Sequence, residues 1–164
     1  MKYPPLKNYI NGKPTAASSA KTLEVISPID GTLLSTVPMS TAKDLNDAVM
    51  VAQKAFVSWS RKPIKERVQV FFKFKTLLER DLNILAALVQ EENGKTLGEA
   101  VAEVEKCIEL TEFATSLPQL ISGEVLEVSK GVECRTEHVP LGIVASIVPF
   151  NFPAMVPNWT MPNA

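Results

Sequence analysis

The fold of this chain is predicted chiefly from the stretch LGIVASIVPFNFP, residues 141–153. Its first eight residues carry no charge and are rich in Ile and Val, which is typical of a strand covered on both faces in a parallel α/β sheet. Its last five residues place a single amide, Asn151, between two aromatic rings and two prolines. Because ligands of open α/β sheets bind beyond the carboxyl ends of the strands, the residues after Val148 are where a site is predicted.

The predicted strand at 141–148 has no partner elsewhere in the sequence. Parallel strands are joined by crossovers of about a dozen residues or more, and residues 149–164 are too few for a crossover and a second strand. The final stretch also contains apolar residues without a stop signal. We therefore expect the chain to be the N-terminal portion of something longer.

Before this stretch, the spacing of apolar residues changes along the chain. The first forty suit short strands, with a tight hairpin turn at Asn11-Gly12 and a second turn at Pro28 to Gly31. The spacing of apolar residues then predicts four helices. They run over 41–60, from Pro63 to a break near Asp81 and Asn83, from that break to Gly94, and from about Thr96 to Ser116 with Pro118 beyond it.

Two further strands with a turn at Lys130-Gly131 are predicted in the segment after Pro118. Charged residues occur on both faces of these strands, so they cannot form a buried hairpin. An exposed or partner-covered ribbon at an edge is the structure that this pattern favours.

The bulk composition is typical of one domain with an ordinary core. Of the 164 residues, 46% are hydrophobic, and 17 basic and 18 acidic residues give a net charge of -1. This balance leaves no basic surface for nucleic acid. No signal peptide, transit peptide or membrane-spanning run is present in the sequence, and two cysteines form no disulfide framework, so we expect a cytoplasmic protein.

Several kinds of catalytic site are disfavoured by spacing. Cys134 and the only histidine, His138, would lie about 13 Å apart on a strand, at about 3.3 Å per residue, which is too far for a catalytic dyad. Cys107 is predicted to pack in the core, and no metal site or glycine-rich phosphate loop is found. The helical carboxylates are predicted to be solvated; they are Glu91, Glu92, Glu99, Glu103 and Glu105.

Asn151 admits two interpretations. Pro149 and Pro153 restrict the backbone on both sides of it, and its amide offers two N–H donors that never change protonation state. Fixed neutral donors are what an oxyanion hole requires. The alternative is that the amide hydrogen-bonds neighbouring backbone in a turn. The residues alone leave both open.

The order and spacing of several motifs resemble the NAD(P)-dependent aldehyde dehydrogenase superfamily over nearly the whole chain. PFNFP after an apolar strand is similar to the family motif in which Trp or Phe stands at the second position. The other motifs, in chain order, are NYINGK (8–13), SPIDGTLLSTVP (27–38), AFVSW (55–59), EENGKT (91–96) and EHVPLG (137–142).

The variant PFNFPAMVP, with Phe150 at the second position, is similar to the methylmalonate-semialdehyde dehydrogenase branch, whose members make acyl-CoA from the aldehyde. That branch has an arginine on the fourth helix that is thought to hold the substrate carboxylate, and Lys106 stands at the matching position here. A lysine keeps the charge but loses the bidentate geometry, so succinate semialdehyde or another small aldehyde stays open.

The resemblance implies an α/β fold in three parts. Residues 1–118 would be the N-terminal strands and helices of the NAD-binding domain, 119–140 an oligomerisation hairpin, and 141–164 the first central strand with the PFNFP loop. Family members are dimers or tetramers, so a homotetramer or other homo-oligomer is expected.

The resemblance also implies a mechanism. A cysteine would attack a small aldehyde or semialdehyde, and the thiohemiacetal would be oxidised by NAD or NADP to a thioester that is released to water or coenzyme A. Asn151 would be the catalytic oxyanion donor, Val148, Pro149 and Phe150 would lie along the cofactor, and Lys106 would face the substrate. The nucleophile would lie beyond Ala164, so the chain alone is expected to be inactive. The competing hypothesis is a short, non-catalytic assembly module.

Overall fold

The computed structural model describes residues 1–164 and contains three separate strand pairs and five helices. The strands are β1 (Asn8–Ile10), β2 (Lys13–Thr15), β3 (Thr22–Ile26), β4 (Leu33–Pro38), β5 (Glu124–Ser129) and β6 (Val132–Thr136). The helices are α1 (Ala42–Trp59), α2 (Ile64–Asn93), α3 (Leu97–Thr115), α4 (Leu117–Leu120) and α5 (Met155–Thr160). None of the helices combines the length and the apolar character that a membrane crossing requires.

The N-terminal strand pairs follow the turn residues of the sequence. Strands β1 and β2 pair in antiparallel fashion, and Asn11 and Gly12 between them adopt φ values of 56° and 72°. Two consecutive positive φ angles are the mark of the tight hairpin turn that Asn-Gly favours. Strands β3 and β4 also pair in antiparallel fashion, across the turn that begins at Pro28. Both predicted hairpins are confirmed.

The largest packed interface joins α2 and α3. Its centre is a cluster of small and β-branched residues, with Leu82, Leu85, Val101 and Ala154 packed around it. Ala154 comes from the segment just after the PFNFP loop, so the same core that holds the two helices also receives the start of α5. The central cluster consists of Ala86, Val89, Ala100 and Val104.

Helix α2 is continuous, and the predicted break near Asp81 and Asn83 is wrong. Asp and Asn cost a helix interior only about 0.7 kcal/mol or less relative to Ala, which tertiary packing readily overrides. The Asp81 carboxylate also accepts hydrogen bonds from Arg80 at 2.8 and 2.6 Å, so it does not compete for the helix backbone. Packing against α3 then keeps all thirty residues helical.

The strand predicted at 141–148 does not form. Residues 137–149 belong to no strand or helix, and Leu141 and Ile147 are 96% and 101% exposed. A strand is stabilised by hydrogen bonds to a neighbour, and the six strands of this chain are all paired within their own hairpins. The α/β composition is therefore realised as helices with hairpins, without a parallel sheet among these residues.

Two apolar surfaces are left uncovered. The stripe of α1 that the periodicity predicts to face a core is only partly buried, and Leu45 on it is 65% exposed. The hairpin of β5 and β6 forms as predicted, and every residue of both strands is exposed.

The start of α1 is tied to the N-terminal segment by Asp44. Its carboxylate accepts hydrogen bonds from the Thr41 backbone N–H at 2.7 Å, the Ser18 backbone N–H at 2.8 Å and the Ser18 hydroxyl at 2.8 Å. The bond from Thr41 is the chief cause that lowers the pKa of Asp44 from 3.8 to about 2. Ionised Asp44 thus links the start of α1 to Ser18.

We expect Asp44→Asn to lower the Tm at pH 7, whereas the exposed control Asp47→Asn changes it little. Because the pKa of Asp44 is lower in the folded state than its ordinary value, its stabilisation is complete above pH 3.8 and is lost as the pH falls through about 2. Thermal unfolding of the chain and both variants between pH 7 and 2 measures this. The Tm difference between the chain and Asp44→Asn should shrink below pH 4, and a pH-independent difference would contradict the assignment.

Candidate functional site

Asn151 lies in the loop that connects the unpaired segment to α5. Its side chain is exposed and makes no hydrogen bond to any group of the chain. The turn interpretation requires that the amide bonds to neighbouring backbone, and no such bond is present. Both N–H donors of Asn151 are consequently free to bind a ligand, while its role as oxyanion donor stays a prediction.

The residue before Asn151 is held by the end of α2. The Asn93 side-chain amide donates a hydrogen bond to the backbone carbonyl of Phe150 at 2.8 Å. These residues lie 57 positions apart in sequence, so the bond fixes the PFNFP loop (residues 149–153) against the helical layer.

The residue after Asn151 is held by Lys95. Its ammonium nitrogen lies 4.0 Å from the centroid of the Phe152 ring, well within the range of a cation–π interaction. The same nitrogen forms an ion pair with the carboxylate of Glu103 on α3, and the Lys95 side chain is only 14% exposed. Lys95 therefore links the loop to α3.

Glu103 holds the segment that follows the loop, and the prediction that it is solvated is wrong. Its side chain has no exposed surface, and its Oε1 accepts hydrogen bonds from the backbone N–H groups of Ala154 at 2.8 Å and Met155 at 3.1 Å. The other carboxylate oxygen pairs with Lys95. Its position three residues after Ala100, on the buried side of α3, is the signal in the sequence that could have revealed it.

The connection between α2 and α3 is shaped by local sequence. Gly94 ends α2 with a φ of 82°, a left-handed conformation that suits glycine at a helix C-terminus. Thr96 and Glu99 then form a capping box, in which the Thr96 N–H donates to the Glu99 carboxylate at 2.9 Å and the Glu99 N–H donates to the Thr96 hydroxyl at 3.3 Å. We call residues 93–96 the NGKT turn; it presents Asn93 and Lys95 to the loop.

The three predicted cofactor residues precede Asn151 on an accessible, uncharged surface. Pro149 is exposed, and Val148 and Phe150 are 36% and 55% exposed. Their apolar atoms suit contact with a flat ring system, and no charged side chain interrupts the three. Their accessibility is compatible with a bound cofactor, whose contacts stay a prediction.

Lys106 lies on α3, three residues after Glu103. It is about half exposed and forms an ion pair with Glu109 on the same helix. Residues three apart are neighbours on a helix surface, so Lys106 is one turn from the carboxylate that holds α5. The structure does not bring it into contact with Asn151.

Neither cysteine is arranged as a nucleophile. Cys107 is 1% exposed, and burial raises the pKa of its thiol to about 11, with the nearby Glu103 carboxylate acting in the same direction. It packs in the core, as predicted, and donates to the backbone carbonyl of Glu103 at 3.3 Å. Cys134 is exposed on β6. No group of three or more His, Cys, Asp or Glu side chains is placed to hold a metal ion.

The comparison with known families is decisive for the chain as a whole. Residues 15–164 match the model described as "Aldehyde dehydrogenase family". The chain belongs to this family. The resemblance of its motifs is thereby confirmed.

Curated relatives of this aldehyde dehydrogenase chain include malonate-semialdehyde dehydrogenases. It is 44% identical over 160 residues to malonate-semialdehyde dehydrogenase 1 of Geobacillus kaustophilus, a match that covers 97% of this chain and 33% of that protein. The chain thus spans about a third of the length of the curated relatives it matches.

Solved structures give the same assignment for the fold. A methylmalonate-semialdehyde dehydrogenase from Oceanimonas doudoroffii superposes with a TM-score of 0.93 at 34% identity, covering 98% of this chain and 33% of that one. A protein described as a methylmalonate-semialdehyde dehydrogenase from Sinorhizobium meliloti, complexed with NAD, superposes with a TM-score of 0.91 at 34% identity, covering 97% and 32%. The arrangement of these helices and hairpins is therefore that of aldehyde dehydrogenases.

Proposed function

We propose that the chain forms the N-terminal part of an NAD(P)-dependent dehydrogenase that oxidises a small semialdehyde of the malonate or methylmalonate type. The observation that carries the proposal is the free amide of Asn151 in a loop held on both sides by the NGKT turn. The family match over residues 15–164 and the names of the relatives supply the reaction class.

Asn151 acts in this proposal as a donor to the aldehyde oxygen. Attack of a cysteine thiolate on the carbonyl carbon places negative charge on that oxygen, and an amide N–H already aimed at it stabilises the charge without reorganisation. The cysteine and the second donor are contributed by residues outside this chain. The amide stays neutral at every pH, so its donor function does not depend on titration.

The cofactor in this proposal is NAD, with NADP as the alternative, and it accepts the hydride from the substrate carbon. Val148, Pro149 and Phe150 would contact it through their exposed apolar surface. The related structure from Sinorhizobium meliloti is described as complexed with NAD, which supports the assignment.

The proposal also covers the acyl acceptor and the residue that faces the substrate. We assign coenzyme A as the acceptor on the resemblance of PFNFPAMVP to the acylating branch, and water as the acceptor in the alternative branch. Lys106 is the candidate for the substrate carboxylate, because a cation one turn from Glu103 on α3 would be close to the loop that holds Asn151.

The hairpin of β5 and β6 is the proposed contact between subunits. The exposed hairpin of β5 and β6 suits pairing with a second subunit, because exposed strand edges and apolar side chains such as Val125 and Leu126 favour association. The assembly would be a homo-oligomer, a dimer or tetramer, in the cytoplasm.

The experiment that tests the proposal is an assay of the complete natural protein for NAD or NADP reduction with malonate semialdehyde and methylmalonate semialdehyde, each with and without coenzyme A. We expect reduced cofactor to form, with coenzyme A raising the turnover rate. Succinate semialdehyde is the matched comparison for a longer substrate.

Intact mass of the natural protein and its reading frame beyond Ala164 provide the control. A natural product that ends at Ala164 and is soluble and monodisperse would contradict the proposal and favour a non-catalytic assembly module. A longer protein that reduces neither cofactor with any of these aldehydes would also contradict it.

A further inference from the structure

We propose that Glu103 is a positioning residue that sets the orientation of the Asn151 amide through the backbone of residues 154–155; this inference rests on the proposed role of Asn151. Glu103 does not touch the reacting atoms. Its carboxylate is the point where α3, the NGKT turn and the start of α5 meet.

Glu103 attaches strongly to the backbone that follows the loop. Two consecutive backbone N–H groups, of Ala154 and Met155, donate to one oxygen of a carboxylate that has no exposed surface. Hydrogen bonds to a charged acceptor are roughly twice as strong as those between neutral groups, and water cannot replace them at a buried site. The chain is thus fixed three residues after Asn151.

Glu103 also fixes Lys95. Lys95 is mostly buried and needs an anionic partner, which Glu103 supplies. Held in this way, the ammonium group lies against the Phe152 ring, the residue next to Asn151. One carboxylate therefore restrains the loop by two routes.

Asn151 has no side-chain restraint of its own. Its amide bonds to nothing in the chain, so its direction is set by the backbone of residues 150–152 and by the anchors on them. A displacement of about 1 Å in catalytic geometry can cost about 10²-fold in rate. Loss of Glu103 should consequently appear as lost turnover more than as lost binding.

The test uses the complete enzyme with Glu103→Gln, which keeps an acceptor oxygen but loses the charge that holds Lys95. We expect kcat to fall about 10- to 100-fold, with the cofactor Kd and the aldehyde KM changed by less than about threefold. Glu103→Asp keeps the charge and should recover part of kcat. Glu105→Gln, an exposed neighbour on α3, is the matched control and should leave kcat unchanged.

A double-mutant cycle separates positioning from general stability. In an Asn151→Ala background the donor is already missing, so Glu103→Gln should lower kcat less than about twofold further. Full additivity of the two effects, or an unchanged kcat in Glu103→Gln, would overturn the inference. If Asn151→Ala alone leaves kcat unchanged, the proposed role of Asn151 as oxyanion donor fails instead.

A second variant and hydrogen exchange distinguish a loss of positioning from a loss of folding. Glu103→Gln alone leaves the buried ammonium group of Lys95 without an ion-pair partner. The double variant Glu103→Gln, Lys95→Met removes that cation as well, so it should fold even where the single variant does not. Hydrogen exchange of peptides covering 149–160 should speed up in this double variant relative to the parent. Unchanged exchange together with parental kcat would also overturn the inference.

Discussion

Replacing Asn151 with alanine in the complete enzyme is expected to lower kcat by about 10²- to 10³-fold, the range measured when one donor is removed from an oxyanion hole. The side chain is exposed and bonds to no group of the chain, so its removal should leave Tm within about 1 °C of the parent. KM should change little, because the amide binds the charged oxygen that develops only during the reaction. Steady-state kinetics of cofactor reduction and thermal unfolding measure both quantities.

Asn83 is the matched control for this substitution. It is exposed on α2, far along the helix from the NGKT turn, and Asn83→Ala removes the same amide without touching the loop. We expect this variant to retain the parental kcat. A fall in Tm of Asn151→Ala that accounts for its lost activity would show that the amide is structural.

Gly94→Ala is expected to destabilise the chain by about 2 to 4 kcal/mol, from left-handed strain and overpacking together. Gly94 has a φ of 82°, and a Cβ added to it would lie 2.9 Å from the Cγ atom of Pro28. For a chain of this length the loss corresponds to a fall in Tm of roughly 5 to 15 °C. Because Asn93 and Lys95 flank this glycine, loop contacts should weaken as well. Thermal or urea unfolding measures the effect.

Gly98→Ala is the control that separates this strain from a general effect of glycine replacement. Gly98 lies in the first turn of α3, where a Cβ would meet no atom within 4 Å. Alanine in a helix is favoured over glycine, so this substitution should raise stability by about 0.5 kcal/mol. Equal destabilisation by both variants would contradict the role given to Gly94.

The helices were largely predictable because their signals are local. Gly94 marks the end of α2 and Thr96 the start of α3, and the structure places both as expected. The helix break predicted near Asp81 was wrong because aspartate disfavours a helix only weakly and the packing of α2 on α3 outweighs that preference. Such tertiary effects cannot be seen in a local window of sequence.

The candidate site was only partly predictable. Asn151 stood out because an amide between two prolines is unusual, but the contacts that anchor its loop join residues 51 to 57 positions apart in sequence. Glu103 resembled the solvated glutamates around it, although its spacing of three residues from Ala100 places it on the buried side of α3. The segment at 141–148 has the composition of a strand, yet hydrogen-bonded neighbours are needed to make it one.

The rate of cofactor reduction in the first turnover tests the central claim most directly, since product release often limits kcat and can hide a change in the chemical step. Rapid mixing of the complete enzyme with NAD and a semialdehyde should give a fast first turnover for the parent and for Asn83→Ala. For Asn151→Ala we predict a rate about 10²- to 10³-fold lower at an unchanged Kd for NAD. A first-turnover rate within twofold of the parent would contradict the assignment of Asn151 as the oxyanion donor.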